Sequence, residues 1–179
     1  MPLATSAQKG GPSMIRVNLE TLVMGNVPGA SVIILRPVAT EEDHNRMLPI
    51  CIGTFEAAAI GKGLSGEQSS RPMTHALINN VVTQLGGRIS CVVVDKVRGT
   101  VFYATICIQR GTETIKIDAR PSDAIAIAVR TKVPIYVDED VLASASFPSW
   151  VNVPKEQQEA QMEEFHAFVE ELNPEDFML

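Results

Sequence analysis

The 179-residue chain reads as an α+β protein built on one mostly antiparallel, mixed sheet backed by helices, with an amphipathic helix at the C-terminal end. Three observations predict this. Strand-like segments come in consecutive runs joined by short turns, and segments of helical period interrupt those runs without alternating strictly with them. No repeat of 20–50 residues is present, and no apolar run approaches the ~18 residues that would span a bilayer.

From Met14 to Val23 the apolar residues Ile15, Val17 and Leu19 alternate with Arg16, Asn18 and Glu20, which is the period of a half-buried strand. Strands at Ser31 to Pro37 and Arg46 to Ile52 follow, across turns containing Pro28-Gly29 and Glu41-Glu42-Asp43. Gly53 to Ile60 then reads as a strand end running into an alanine-rich helix, with Thr54 as its N-cap and Gly61 or Gly63 as its stop. A second helix follows Thr74, its predicted cap. It carries Leu77, Ile78, Val81, Val82 and Leu85 at helical spacing and halts at Gly86-Gly87. Ile89 to Val97, Val101 to Gln109 and Thr114 to Asp118 form a second meander, turning at Arg98-Gly99 and Arg110-Gly111. Arg120-Pro121-Ser122-Asp123 opens a third helix over Ala124 to Arg130, and Pro134 to Val137 is a short last strand. Finally, Gln157 to Leu172 places Met162, Phe165, Phe168, Val169 and Leu172 on one stripe of an acidic amphipathic helix.

The chain thus divides into an N-terminal extension (1–13) rich in Gly, Pro, Ser and Ala, an α+β body (14–150) and an acidic helical appendage (151–179). The net charge of -6 is unevenly spread. Residues 1–154 hold 14 Lys and Arg against 13 Asp and Glu, whereas 155–179 hold one Lys against eight acidic residues. The acidity therefore says little about the surface of the body. Cys51, Cys91 and Cys107 each sit in an apolar strand-like run, so they read as free thiols in a reducing cytoplasm. Nothing resembles a secretory leader or a membrane span.

Two strings echo one another. Arg71-Pro72-Met73-Thr74 and Arg120-Pro121-Ser122-Asp123 both put Arg-Pro and then a hydroxyl at a predicted helix start. A helix start offers unpaired N–H groups and partial positive charge, and Arg supplies a fork for phosphate, so Arg71, Thr74, Arg120 and Ser122 are candidate substrate-binding groups. Glu56, His75, Asp118 and Asp123 are candidates for proton transfer, and converging carboxylates could bind Mg²⁺ or Mn²⁺. The plain alternative is that Pro, Ser, Thr and acidic residues are ordinary helix-start signals, with Arg paired to a neighbouring carboxylate. Phe102-Tyr103 could offer a ring for base stacking, although a ring in a strand is usually packed against its neighbours. P-loop, dinucleotide-fold, zincin and serine-hydrolase motifs are absent, and no organic cofactor is expected.

Pro49-Ile50-Cys51-Ile52-Gly53 with Glu56-Ala57, then Arg71 to His75, Phe102-Tyr103-Ala104, Ile117 to Ala124 and Pro134 to Val137 together resemble the bifunctional nuclease family. The resemblance runs from about Met14 to Val141, and Asn173 to Phe177 is similar to the ending of bacterial members. It implies nuclease activity on DNA and RNA, with the family's polar positions at Glu56, Arg71, Thr74, His75, Asp118, Arg120, Ser122 and Asp123. The family usually carries Asp after the His, where this chain has Ala76. The expected function is hydrolysis of phosphodiester bonds in nucleic acid by a homo-oligomer. The alternative is a non-catalytic scaffold or regulatory domain with structural Arg-carboxylate pairs.

Overall fold

A computed structural model describes residues 13–24, 31–38, 46–66 and 69–148. The predicted turns at 28–29 and 41–43, the leader and the C-terminal helix lie outside the described residues. The first meander comprises β1 (Met14–Met24), β2 (Ser31–Pro37) and β3 (Arg46–Ile52). Helices α1 (Thr54–Leu64) and α2 (Thr74–Gln84) lead to the second meander, β4 (Arg88–Arg98), β5 (Val101–Arg110) and β6 (Glu113–Ala119). Then come α3 (Pro121–Thr131), β7 (Ile135–Asp138), α4 (Glu139–Ala145) and the two-residue β8 (Phe147–Pro148). The strand order is β6-β5-β4-β7-β1-β2-β3, with β8 added on the outer side of β3. All neighbours are antiparallel except β4 and β7. The α+β arrangement expected from the hairpin runs is therefore the one observed.

Strand alternation sorts the side chains. Val17, Ile33, Leu35, Ile50, Val92, Val94, Ala104, Ile106, Ile135 and Val137 turn to one face, where they form one core with helix residues. Helix α3 lies deepest, since five successive residues from Ala124 to Ala128 are buried. Small Ala residues let it sit close to both α1 and the sheet, and Gly63 of α1 leaves space where a Cβ would meet Val129. The hairpin tips need left-handed backbone, which Gly99 (φ 59) and Gly111 (φ 58) supply. Helix α4 and β8 are additions to the sequence reading. Two of its capping assignments are corrected, because Gly53 and Met73 are the N-caps and Thr54 and Thr74 are the first helical residues. No helix among the described residues is long and apolar enough to cross a membrane.

Candidate functional site

The sheet brings three helix starts together. α1 begins directly after β3, α3 directly after β6, and α2 after the Arg71-Pro72 segment. None of the three has a side-chain cap on its first amides. Glu56 stands in the first turn of α1, His75 in that of α2 and Asp123 in that of α3, while Arg120 is the extended N-cap residue of α3 with Pro121 behind it. Pro at that position fixes the helical φ and has no N–H to leave unpaired.

These four side chains form one chain of polar contacts. Arg120 Nη1 donates to Glu56 Oε1 at 3.0 Å. Its Nε donates to Asp123 Oδ2 at 2.9 Å and its Nη2 to Asp123 Oδ1 at 3.3 Å, a two-pronged fork. His75 Nε2 lies 3.2 Å from Asp123 Oδ1. An ionised carboxylate only accepts, so Nε2 donates in this contact; in the neutral ring that makes Nδ1 the acceptor, with no partner among the described residues. Burial works to raise the Asp123 pKa, but the hydrogen bonds from Arg120 and His75 and their charges outweigh it and hold the carboxyl below its ordinary value. The hydrogen bond to Asp123 raises the Arg120 pKa against the cost of burial, with Glu56 adding to the effect.

A groove of about 300 Å³ opens beside the Glu56–Arg120 end, between Ile50–Gly53, Thr100–Phe102 and Arg120–Ser122. Phe102, Val101, Ile50 and Pro121 give it apolar walls. A larger open hollow, about 580 Å³, lies at the far ends of α1 and α3 around Gly63–Gly66 and Lys132. That hollow includes none of the predicted polar residues, so the smaller groove is the better candidate site.

The other predicted residues fall elsewhere. Ser122 is buried on the groove wall. Arg71 and Thr74 are exposed at the start of α2, and Arg71 has no ion-pair partner among the described residues. Asp118 does not join the cluster. Its register partner is Thr105, while Ile117 and Ala119 pair with the core-facing Ile106 and Ala104, so alternation turns Asp118 to the sheet face opposite the helices. Cys51, Cys91 and Cys107 are free, and burial pushes the Cys51 and Cys107 thiols up to about 11, with Cys91 a lesser cause at Cys107.

Comparison with known proteins finds relatives over most of the body. An uncharacterized protein of Mycobacterium tuberculosis is 41% identical over 155 residues, covering 82% of this chain and 87% of its own. Bifunctional nuclease 2 of Oryza sativa subsp. japonica is 28% identical over 125 residues, 66% of this chain and 38% of the rice protein. Bifunctional nuclease 1 of Arabidopsis thaliana is 28% identical over 102 residues, 55% and 31% of the two chains. The bifunctional nuclease domain matches residues 34–149, a span that holds all three helix starts and the Glu56–Arg120–Asp123–His75 cluster, and the chain belongs to that family.

Proposed function

We propose that the chain hydrolyses phosphodiester bonds in DNA or RNA at the three helix starts. The observation that supports this is the continuous contact from Glu56 through Arg120 and Asp123 to His75 at three uncapped helix starts, read as a cation, an orienting carboxylate and a base beside free amides. In this reading His75 takes a proton from the attacking water at Nδ1. Asp123 holds the ring in that tautomer and stabilises the imidazolium that forms. Arg120, oriented by two carboxylates, and the free amides at the helix starts stabilise the charge developing on phosphorus oxygens.

The electrostatics set a condition. With His75 neutral, the four-residue cluster carries one net negative charge, so it does not attract a phosphate by itself. Arg71 and the uncapped amides must supply that attraction. The donors as arranged do not suit Mg²⁺ or Mn²⁺. Both oxygens of Asp123 already accept from Arg120 or His75, Glu56 Oε1 accepts from Arg120, and Asp118 is on the other face. No step is therefore routed through an ion.

Arg120 clamped between two carboxylates also favours a second reading, a non-catalytic domain in which the same contacts fasten three helix starts together. Purified wild type, His75→Ala and Asp123→Ala, assayed on single- and double-stranded DNA and on RNA with Mg²⁺, Mn²⁺ or EDTA, separate the two. The nuclease reading expects cleavage that falls at least about 100-fold in His75→Ala, the order of a lost general base. Equal traces of cleavage in all three proteins would assign the activity to a contaminant and leave the structural reading.

A further inference from the structure

We propose that Cys91 and Cys107 are an oxidation site: a hydroperoxide converts the two thiols into a disulfide across β4 and β5, and a dithiol reductant reopens it. The two residues are direct register partners on antiparallel strands. Residues opposed in this way have Cα atoms about 4.5–5.5 Å apart, within the roughly 4.4–6.8 Å that a disulfide bridges. Their neighbours Val92 and Ile106, also register partners, face the core, so alternation puts both sulfurs on the sheet face away from the helices. There the two thiols are in side-chain hydrogen-bond contact. Closing the bond therefore asks no strand to move.

The surroundings divide the roles of the two sulfurs. Cys107 is buried, and burial, followed by the charge and hydrogen bond of Cys91, pushes its thiol up to about 11. Lys116, opposite Cys107 on β6, works against that shift, and Asp95 adds to it. Cys91 is half-buried and so open to a small oxidant. Cys91 is thus the attacking sulfur and Cys107 the resolving one, with the Lys116 ammonium as the positive neighbour that favours a thiolate. Two sulfurs are too few for a metal centre, because among the described residues no three His, Cys, Asp or Glu side chains are grouped to hold an ion.

The chemistry balances in two steps. The Cys91 thiolate attacks one oxygen of hydrogen peroxide and the O–O bond breaks, which leaves a sulfenic acid and a hydroxide that takes up a proton to become water. The Cys107 thiol then attacks the sulfenic sulfur and gives up its proton. The S–O bond breaks, a second water leaves and the S–S bond forms. Two thiols lose two electrons, and the peroxide gains them. A thiol already in contact with the sulfenic sulfur closes the bond ahead of the irreversible step to sulfinic acid. Cys51 has no such partner, since β3 lies four strand spacings from β4, about 19 Å.

The test treats the reduced full chain with hydrogen peroxide, blocks the remaining thiols with iodoacetamide, and counts them by intact mass and peptide mapping. Wild type should fall from three alkylated thiols to one, with Cys91 joined to Cys107 within a single chain, and dithiothreitol should restore all three. Cys51→Ser should form the same bond. Cys107→Ser lacks the resolving thiol and should accumulate sulfenic acid at Cys91, trapped there by dimedone. Wild type and Cys51→Ser decide the result by themselves if Cys107→Ser fails to fold. A wild type that keeps three thiols while glutathione in the same tube is fully oxidised would overturn the proposal. So would a disulfide to Cys51, a disulfide between two chains, or a bond that forms as fast in the urea-unfolded chain, since the fold would then not be what pairs the sulfurs.

Discussion

Asp123 is a carboxylate in which burial and charge oppose one another, and charge wins. Its folded pKa is lowered, so its contribution to stability is fully present above the ordinary carboxylate range, about 4, and is lost as pH falls through the lower folded value. Thermal melts between about pH 2 and 7 should therefore show a steeper acid decline in wild type than in Asp123→Asn. The side chain is about a third exposed, so the difference at neutral pH should stay near 1 kcal/mol. Substituting Lys for Arg120 should be more costly to the site than its conserved charge suggests, because a point charge cannot make the fork to Asp123 and reach Glu56 together. A loss of the His75 tautomer preference by NMR would report it. Glu56, His75, Arg120 and Asp123 were legible in the sequence because first-turn positions at three helix starts are readable, whereas their convergence depends on strand order. Asp118 stands with them in the sequence because it and Asp123 bracket the start of α3, and one residue of strand alternation sends it to the other face. The groove wall at Thr100 was missed, since nothing local marks a hairpin-turn residue as lying across from a helix start.

Among the elements, α3 carries the heaviest packing load. Ile125 is fully buried, and Ile125→Ala should cost about 2–5 kcal/mol, measured by chemical denaturation. At the end of the same helix Lys132 adopts left-handed backbone (φ 58), so Lys132→Gly should raise stability by about 0.5–1 kcal/mol. Gly53, ahead of α1, has a different task. A Cβ there would collide with the carboxylate of Glu56, a flexible group, so Gly53→Ala should displace Glu56 from Arg120 with little change in melting temperature. The strands and α2 were readable from their hydrophobic period, α1 from its alanines and α3 from its Pro-Ser-Asp opening. The seven residues of α4 are too few to show a period, although Asp138 accepting from the Asp140 amide is a capping signal present in the sequence. Thr54 and Thr74 were misplaced by one residue because cap preference alone does not see the extended residue before each helix.

For the whole molecule, charge is partitioned by segment. The chain carries -6, while residues 1–154 hold one more basic than acidic residue, so removing 155–179 should tighten binding to a single-stranded oligonucleotide, and added salt should narrow the difference. Fluorescence anisotropy at two ionic strengths reads this directly. Equal affinities at low salt would show that the acidic segment does not act on the body's surface. The sheet itself has a seam. The four residues of β7 lie between β1 and β4, meeting each in only a few register pairs, and join the two meanders into one sheet. Until Asp138 has left the ribosome, both halves must wait with β1 and β4 open, and closure demands contacts more than 100 residues apart in the chain. Synthesis order thus makes the smallest sheet-bridging strand the last piece of a slow step, and a nascent chain stalled before it would expose two hydrophobic edges to any chaperone or neighbouring copy.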